Sequence, residues 1–168
     1  MLRIILQEYK NLYNRSSFIR ALFLYFTNYD FQITCKIRRL LSLNSGFRKM
    51  LHINQLERKH GVKLGYNVKI GKNLIICHHN GIVIGEKVEI GDNCRIYHQV
   101  TLGQKDNKYP VVKDNVTLFP GCKIIGNITI GNNSIVAPNS VVIKDIPDNA
   151  VVSGIPAVII GWRNNISE

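Results

Sequence analysis

From Leu64 onward, apolar side chains recur every six residues, and this period constrains the chain more than any other feature it has. Leu64, Ile70 and Ile76 share one register, Ile84, Ile90, Ile96 and Leu102 a second, and Val112, Leu118, Ile124, Ile130, Val136 and Val142 a third. A helix would smear such residues around its circumference, because six is not a multiple of 3.6. Six is a multiple of two, but the intervening Gly, Asn and Asp cut an ordinary strand short. A short strand followed by a tight turn, repeated without end, fits the pattern. Three such units close a triangular coil of about 18 residues, and coils stack through backbone hydrogen bonds at ~4.8 Å. The expected architecture is mainly β, a parallel β-helix with the leading Ile, Leu and Val filling a prism on the order of 20 Å tall. A second inward set follows four residues after each lead. It includes Cys94, Cys122, Ser134 and Ser140, and the two cysteines are expected to pack there as small apolar groups.

The register slips twice. Two extra residues separate Ile76 from Ile84, around Cys77-His78-His79-Asn80-Gly81, and four extra separate Leu102 from Val112, around the polar run Gly103–Pro110. Insertions in a solenoid sit at turns and commonly mark its functional face. Ile76 and Ile96 fall on one face, one coil apart, so His78 and His98 are expected to stack near one another. A turn histidine in such a place can serve as a general base.

Residues 1–60 show no alternation and no proline. Spacings of three and four predict a helix from Leu2 to about Tyr13, a second from Phe18 with Ser16 or Ser17 as N-cap, a third over Phe31–Leu43, and a fourth over Phe47–His60 stopped by Gly61. This segment holds eleven Lys and Arg against Glu8, Asp30 and Glu57, and so carries most of the net charge of +11. With aromatics such as Phe18, Phe23 and Phe26 beside these cations, peripheral contact with an anionic membrane is an expectation. No nucleic-acid motif accompanies the charge, so no nucleic-acid partner is expected. The longest apolar run, Phe18–Phe26, contains Arg20 and is far shorter than the ~20 residues that span a bilayer. Four cysteines without CxxC spacing, and no secretory leader at the start of the chain, point to a reducing, cytoplasmic setting. The chain divides into a basic helical segment, 1–60, and a repeat domain with a short C-terminal tail, 61–168.

CHHNGIVIGE, then VTLG, a polar loop ending in Tyr-Pro, GCKIIGNITIGNNSIVAPNSVV and GIPA together resemble the hexapeptide-repeat acetyltransferases, in the branch of serine and polysaccharide O-acetyltransferases. The resemblance covers about Gly61 to Trp162. It implies a left-handed coil, a hand the general rule for parallel crossovers would have reversed. It also implies acetyl-CoA as cosubstrate, a homotrimer with sites between subunits, and His78 as the base, three residues before the glycine of GIVIGE. His79 is the rival base and His98 a supporting group. The coenzyme positions it implies are Thr101, Gly103, Gly121, Cys122, Lys123, Ala137 and Ser140. Val158 replaces an expected arginine, and Arg163, Lys144 or Lys113 is the substitute cation for the phosphates. Lys108 and Tyr109 are the implied acceptor contacts.

Serine acetyltransferases carry aspartates where this chain has Cys77 and Lys63, and Arg-His where it has Lys108-Tyr109. These departures favour a sugar hydroxyl of surface polysaccharide as acceptor, with L-serine as the alternative. A more remote alternative is a zinc site of the β-helix carbonic anhydrase kind, with His78, His79, His98 and Cys77 as ligands. No metal is expected on the acetyltransferase reading.

Overall fold

The computed structural model describes residues 1–44 and 46–163. Ser45, in the expected break between the third and fourth helices, and the C-terminal tail, 164–168, lie outside the described residues.

Four helices precede the repeat: α1 (Leu2–Tyr13), α2 (Phe18–Thr27), α3 (Tyr29–Leu41) and α4 (Phe47–His60). Ser17 caps α2 by accepting from the Arg20 N–H. Asn28 both ends α2 and caps α3, accepting from the Phe31 N–H at 2.8 Å. The third helix therefore begins at Tyr29, earlier than apolar spacing indicated, and Asp30 sits in its first turn rather than in a loop. Gly61 closes α4 in the left-handed conformation, φ 63°.

Beyond Gly61 the chain winds three parallel sheets into a prism. One face stacks β1 (Lys63–Leu64), β4 (Val83–Ile84), β7 (Thr101–Gly103), β10 (Lys123–Ile125) and β13 (Val141–Val142). A second stacks β2 (Lys69–Ile70), β5 (Glu89–Ile90), β8 (Val111–Val112) and β11 (Thr129–Ile130). The third stacks β3 (Ile75–Cys77), β6 (Arg95–Tyr97), β9 (Thr117–Leu118), β12 (Ile135–Val136) and β14 (Ala150–Gly154), with β15 (Ala157–Trp162) added antiparallel at its end. Every lead residue of the hexads is buried except Ile70, which is half-buried, and so is every residue of the second set. Partners one coil apart lie 20 residues apart at the first slip, 22 at the second, and 18 where the repeat is regular.

Each corner must reverse the chain within two or three residues, which demands left-handed backbone. Asparagine tolerates this better than other side chains. Asn73, Asn93, Asn115, Asn133 and Asn149 occupy one corner with φ of 55°, 57°, 60°, 58° and 64°. Their amides continue the ladder: Asn73 donates to Asn93 at 2.7 Å, Asn93 to Asn115 at 3.1 Å, and Asn133 to Asn149 at 3.0 Å. Asn therefore supplies both the turn and its stacking.

The helical segment is joined to the prism in two layers. Ile33, Ile37 and Leu40 of α3 and Ile53 and Leu56 of α4 belong to the same buried core as the hexad leads. Ile5 and Tyr9 of α1 and Ala21 of α2 form a separate cluster with Phe31 and Cys35 on the other side of α3. Ile19, Phe23 and Phe26 form an exposed stripe on α2, and no described helix is long and apolar enough to cross a membrane. Arg38 ties the layers together. Its guanidinium pairs with the buried Glu8 of α1 at 3.2 Å and donates to the Ile70 carbonyl at 2.9 Å and to the Gly71 carbonyl. Burial pushes the Glu8 carboxyl up, and Arg38 opposes this. Breaking one partner of such a buried pair costs about 3–5 kcal/mol. Arg38→Gln is expected to lower unfolding stability by that order in denaturant titration, whereas Lys69→Gln, which breaks an exposed pair with Glu89, is expected to cost at most ~1 kcal/mol. Equal losses in the two variants would show that Arg38 does not hold the layers together.

Candidate active site

The first slip forms a bulge at the corner after β3. Pairing locates it: the Gly81 N–H donates to Gly61 O, the Gln99 N–H to Asn80 O, and the Gly121 N–H to His98 O. Asn80 therefore holds the ladder place that His98 holds one coil on. His78 and His79 are the two residues displaced outward. His78 takes a left-handed backbone, φ 56°, unusual for a residue that is neither Gly nor Asn. Its ring nevertheless meets that of His98, 5.9 Å between centroids in a T-shaped arrangement at 69°, as stacking of the coils predicts. The His98 Nδ1 is buried and has no partner among the described residues.

What holds the bulge is Asp30, a residue the sequence reading did not single out. One carboxylate oxygen accepts from the His78 N–H at 2.9 Å, and the other from the His79 N–H at 3.2 Å and from His79 Nδ1 at 2.8 Å. Burial pushes the Asp30 carboxyl up, but the hydrogen bonds from the His79 ring and the two backbone N–H groups, with the His79 charge, hold it below the usual 3.8. The contact fixes the His79 tautomer with the proton on Nδ1. That arrangement resembles an activated base, yet the His79 ring packs on Tyr29 of α3 at 4.8 Å and lies 6.4 Å from the His60 ring of α4. His79 faces the helices and locks the corner to them. His78 is exposed and lines a cleft of about 260 Å³ whose walls include Tyr13, Asn28, Asp30, Thr34 and Cys77. The half-buried Cys77 thiol is pushed up by burial, so it is neutral near pH 7. Among the described residues no three His, Cys, Asp or Glu side chains converge as a metal site would need.

Thr101, Gly103 and Lys123 lie side by side on one face, with Lys123 paired to Thr101 and Ile125 to Gly103. Gly121 and Ala137 continue down the corner below His98, and the Lys123 ammonium donates to Gly121 O at 3.0 Å. Cys122 and Ser140, placed with them on the sequence, point into the prism and are wholly buried. Burial pushes the Cys122 thiol up to about 12, and Ser140 Oγ accepts from the Gly154 N–H. Their side chains fill the core, as the hexad register itself requires of those positions. Arg163 lies at the asparagine corner, its N–H donating to Asn149 O, rather than at the histidine corner. Tyr109 packs against Gly85 and the core, and Lys108 closes a tight turn with Lys105, so within one chain neither lines the cleft at His78. Lys63 pairs with Glu57 at 3.6 Å. No local motif marks Asp30 as a partner for the bulge. Its one sequence signal is an acid just after a helix-capping Asn.

A prism of short parallel strands with hexad leads inside defines the hexapeptide-repeat β-helix class. The family of bacterial transferase hexapeptide repeats matches residues 109–144. A serine acetyltransferase of Staphylococcus epidermidis is 44% identical over 113 residues, 64% of this chain and 53% of the relative. The hexapeptide-repeat serine O-acetyltransferase of Brucella melitensis superposes with a TM-score of 0.78 at 30% identity, covering 97% of this chain and 67% of that one. A serine acetyltransferase in complex with CoA gives 0.80 at 27% identity, over 94% and 68%. The chain belongs to the left-handed β-helix, hexapeptide-repeat acetyltransferase family. It spans about half the length of the curated relatives it matches.

The Asp30 clamp has a defined pH signature. A carboxyl held below its unfolded value adds stability that is fully present above the unfolded value and lost as pH falls through the folded one. The stability difference between wild type and Asp30→Asn is expected to shrink as pH falls below the ordinary 3.8. A difference that does not change with pH down to 3 would show that Asp30 carries no charge-dependent contact.

Proposed function

We propose that the chain transfers acetyl from acetyl-CoA to the hydroxyl of serine, with His78 as general base. The observation that carries this reading is the exposed His78, held on a carboxylate-clamped bulge beside a cleft, in a chain whose relatives by sequence are serine acetyltransferases. The His78 imidazole takes the proton of the acceptor hydroxyl as its oxygen bonds to the thioester carbon. The carbon–sulfur bond then breaks, and the CoA thiolate takes the proton back from the imidazolium. Tyr13 and Asn28 offer neutral hydrogen-bonding groups for the acceptor, and Asp30 offers a carboxylate toward an amino group. Thr101, Gly103, Gly121, Lys123 and Ala137 line the edge on which the pantetheine arm of CoA would lie, with Cys122 and Ser140 supporting it from within.

The sugar acceptor favoured on the sequence finds no support among these relatives, which are named as serine acetyltransferases. It stands as a second reading on one observation. Cys77 stands in the cleft where the resemblance to serine acetyltransferases implies an aspartate, which leaves Asp30 as its one carboxylate. A thiol-release assay with L-serine and a panel of hexoses and amino sugars separates the two. Turnover is expected with serine above every sugar, and the reverse order would install the sugar. His78→Ala is expected to reduce turnover by about 10²–10⁴, with CoA affinity kept. Unchanged turnover would remove His78 from the mechanism.

The same reading includes a trimer. Val158, Ile160 and Trp162 on the outer strand β15 are 61%, 63% and 59% exposed in the single chain. Such a contiguous apolar strand calls for a covering surface, and a second copy supplies one. Light scattering is expected to give a trimer mass that Ile160→Asp lowers, and a wild-type monomer would overturn this part.

A further inference from the structure

Away from the bulge, α3 and α4 leave a cleft of about 390 Å³. Its floor is apolar, formed by the buried Leu40 and Leu56. Its rim is cationic, with Lys36, Arg39 and Lys59 beside the His60 ring, and no carboxylate lines it. Among the described residues none of these three Lys and Arg side chains enters an ion pair.

The half-buried Lys36 ammonium donates to the His60 ring, at Nε2, at 2.8 Å and lies 5.9 Å from the centre of the Tyr29 ring. These are neutral partners, chosen where an acid is absent. Burial and the nearby Lys59 both pull the Lys36 ammonium down from its ordinary value. Burial, Lys36, His79 and Lys59 do the same to His60. Like charges converging over an apolar floor leave a field that a bound anion would relieve.

We propose that the α3–α4 cleft is a binding site for an anion with an apolar body, an alkyl phosphate monoester or a lipid headgroup of the same chemistry. The phosphate sits between Lys36 and Lys59 with Arg39 at the rim, and the alkyl body lies on Leu40 and Leu56. The site does not depend on the acceptor assigned above. It does adjoin the bulge. His60 Nε2 accepts from Lys36, its Nδ1–H donates to Tyr29 Oη at 2.6 Å, and the Tyr29 ring packs on His79. A ligand on Lys36 is therefore a short chain of contacts from the Asp30–His79 lock.

The test is calorimetric titration of the full chain with hexyl phosphate, against inorganic phosphate and hexanol. Hexyl phosphate is expected to bind at least ten-fold more tightly than either, and the Lys36→Gln/Lys59→Gln double variant to lose at least ten-fold while Arg15→Gln binds as wild type. Should the double variant not fold, the histidine ring resonances of the wild type take its place. His60 is expected to shift on hexyl phosphate addition, and His98 is not. Hexyl phosphate binding no tighter than inorganic phosphate, an unaffected double variant, or an unmoved His60 resonance would each overturn the site. Vesicles of phosphatidic acid against phosphatidylcholine then identify the source. Binding that requires Lys36 and Lys59 supports a lipid headgroup, and tight hexyl phosphate binding without vesicle binding supports a free ligand.

Discussion

Almost every strand in this prism is two or three residues long, and such strands are stable only because the coils above and below take up their backbone hydrogen bonds. That requirement governs the rest of the structure. Each coil must close so that one apolar lead lies under the next, as Ile76 does with Ile96 and Ile96 with Leu118. Corners must turn within a few residues, so they fall to Asn and Gly in the left-handed region. Extra residues have one way out, through a corner, because strands of two or three residues cannot take an insertion without losing their pairing to the coils above and below.

The two insertions leave the prism at different corners and meet different fates. The second folds back on itself between Lys105 and Lys108 and lays Tyr109 on Gly85. The first carries two backbone N–H groups away from the ladder, and those groups need acceptors. The Asp30 carboxylate supplies them from the first turn of α3, and the same carboxylate fixes the His79 ring. His78 is thus presented to solvent by a contact that involves its main chain alone. The helices are accordingly part of the site. α3 and α4 share the prism core, and Arg38 joins α1, α3 and the edge of β2 through one guanidinium. The cationic cleft between α3 and α4 lies on the other side of the same histidine lock, so helical packing and the histidine corner are mechanically one unit.

The repeat and the four helices were legible because both are periodic. A six-residue period read along the chain gives the inward set directly, and all but the half-buried Ile70 among the leads are buried. The approach of His78 to His98 was legible too, since coil arithmetic places them one above the other. Cys122 and Ser140 carry two readings, a coenzyme position by resemblance and an inward position by register. The same hexad register that marks the prism assigns both to the interior, and their side chains are spent on packing. Arg163 stands at the asparagine corner because β15 runs back antiparallel along β14.

By itself the sequence determined the prism, its registers, the helix spans and the corner at which the histidines emerge, because each follows from spacing within a few residues or one coil. Only the tertiary structure decided which acid answers the histidine bulge. Asp30 lies 48 residues before His78, beyond the reach of any local period. The two meet only because Ile33 and Ile37 seat α3 on the prism core and turn its first helical turn toward the displaced N–H groups. Where a backbone ladder is unbroken, spacing fixes the partner. Where the ladder is broken, the partner is whichever buried or half-buried group the packing brings within hydrogen-bond distance.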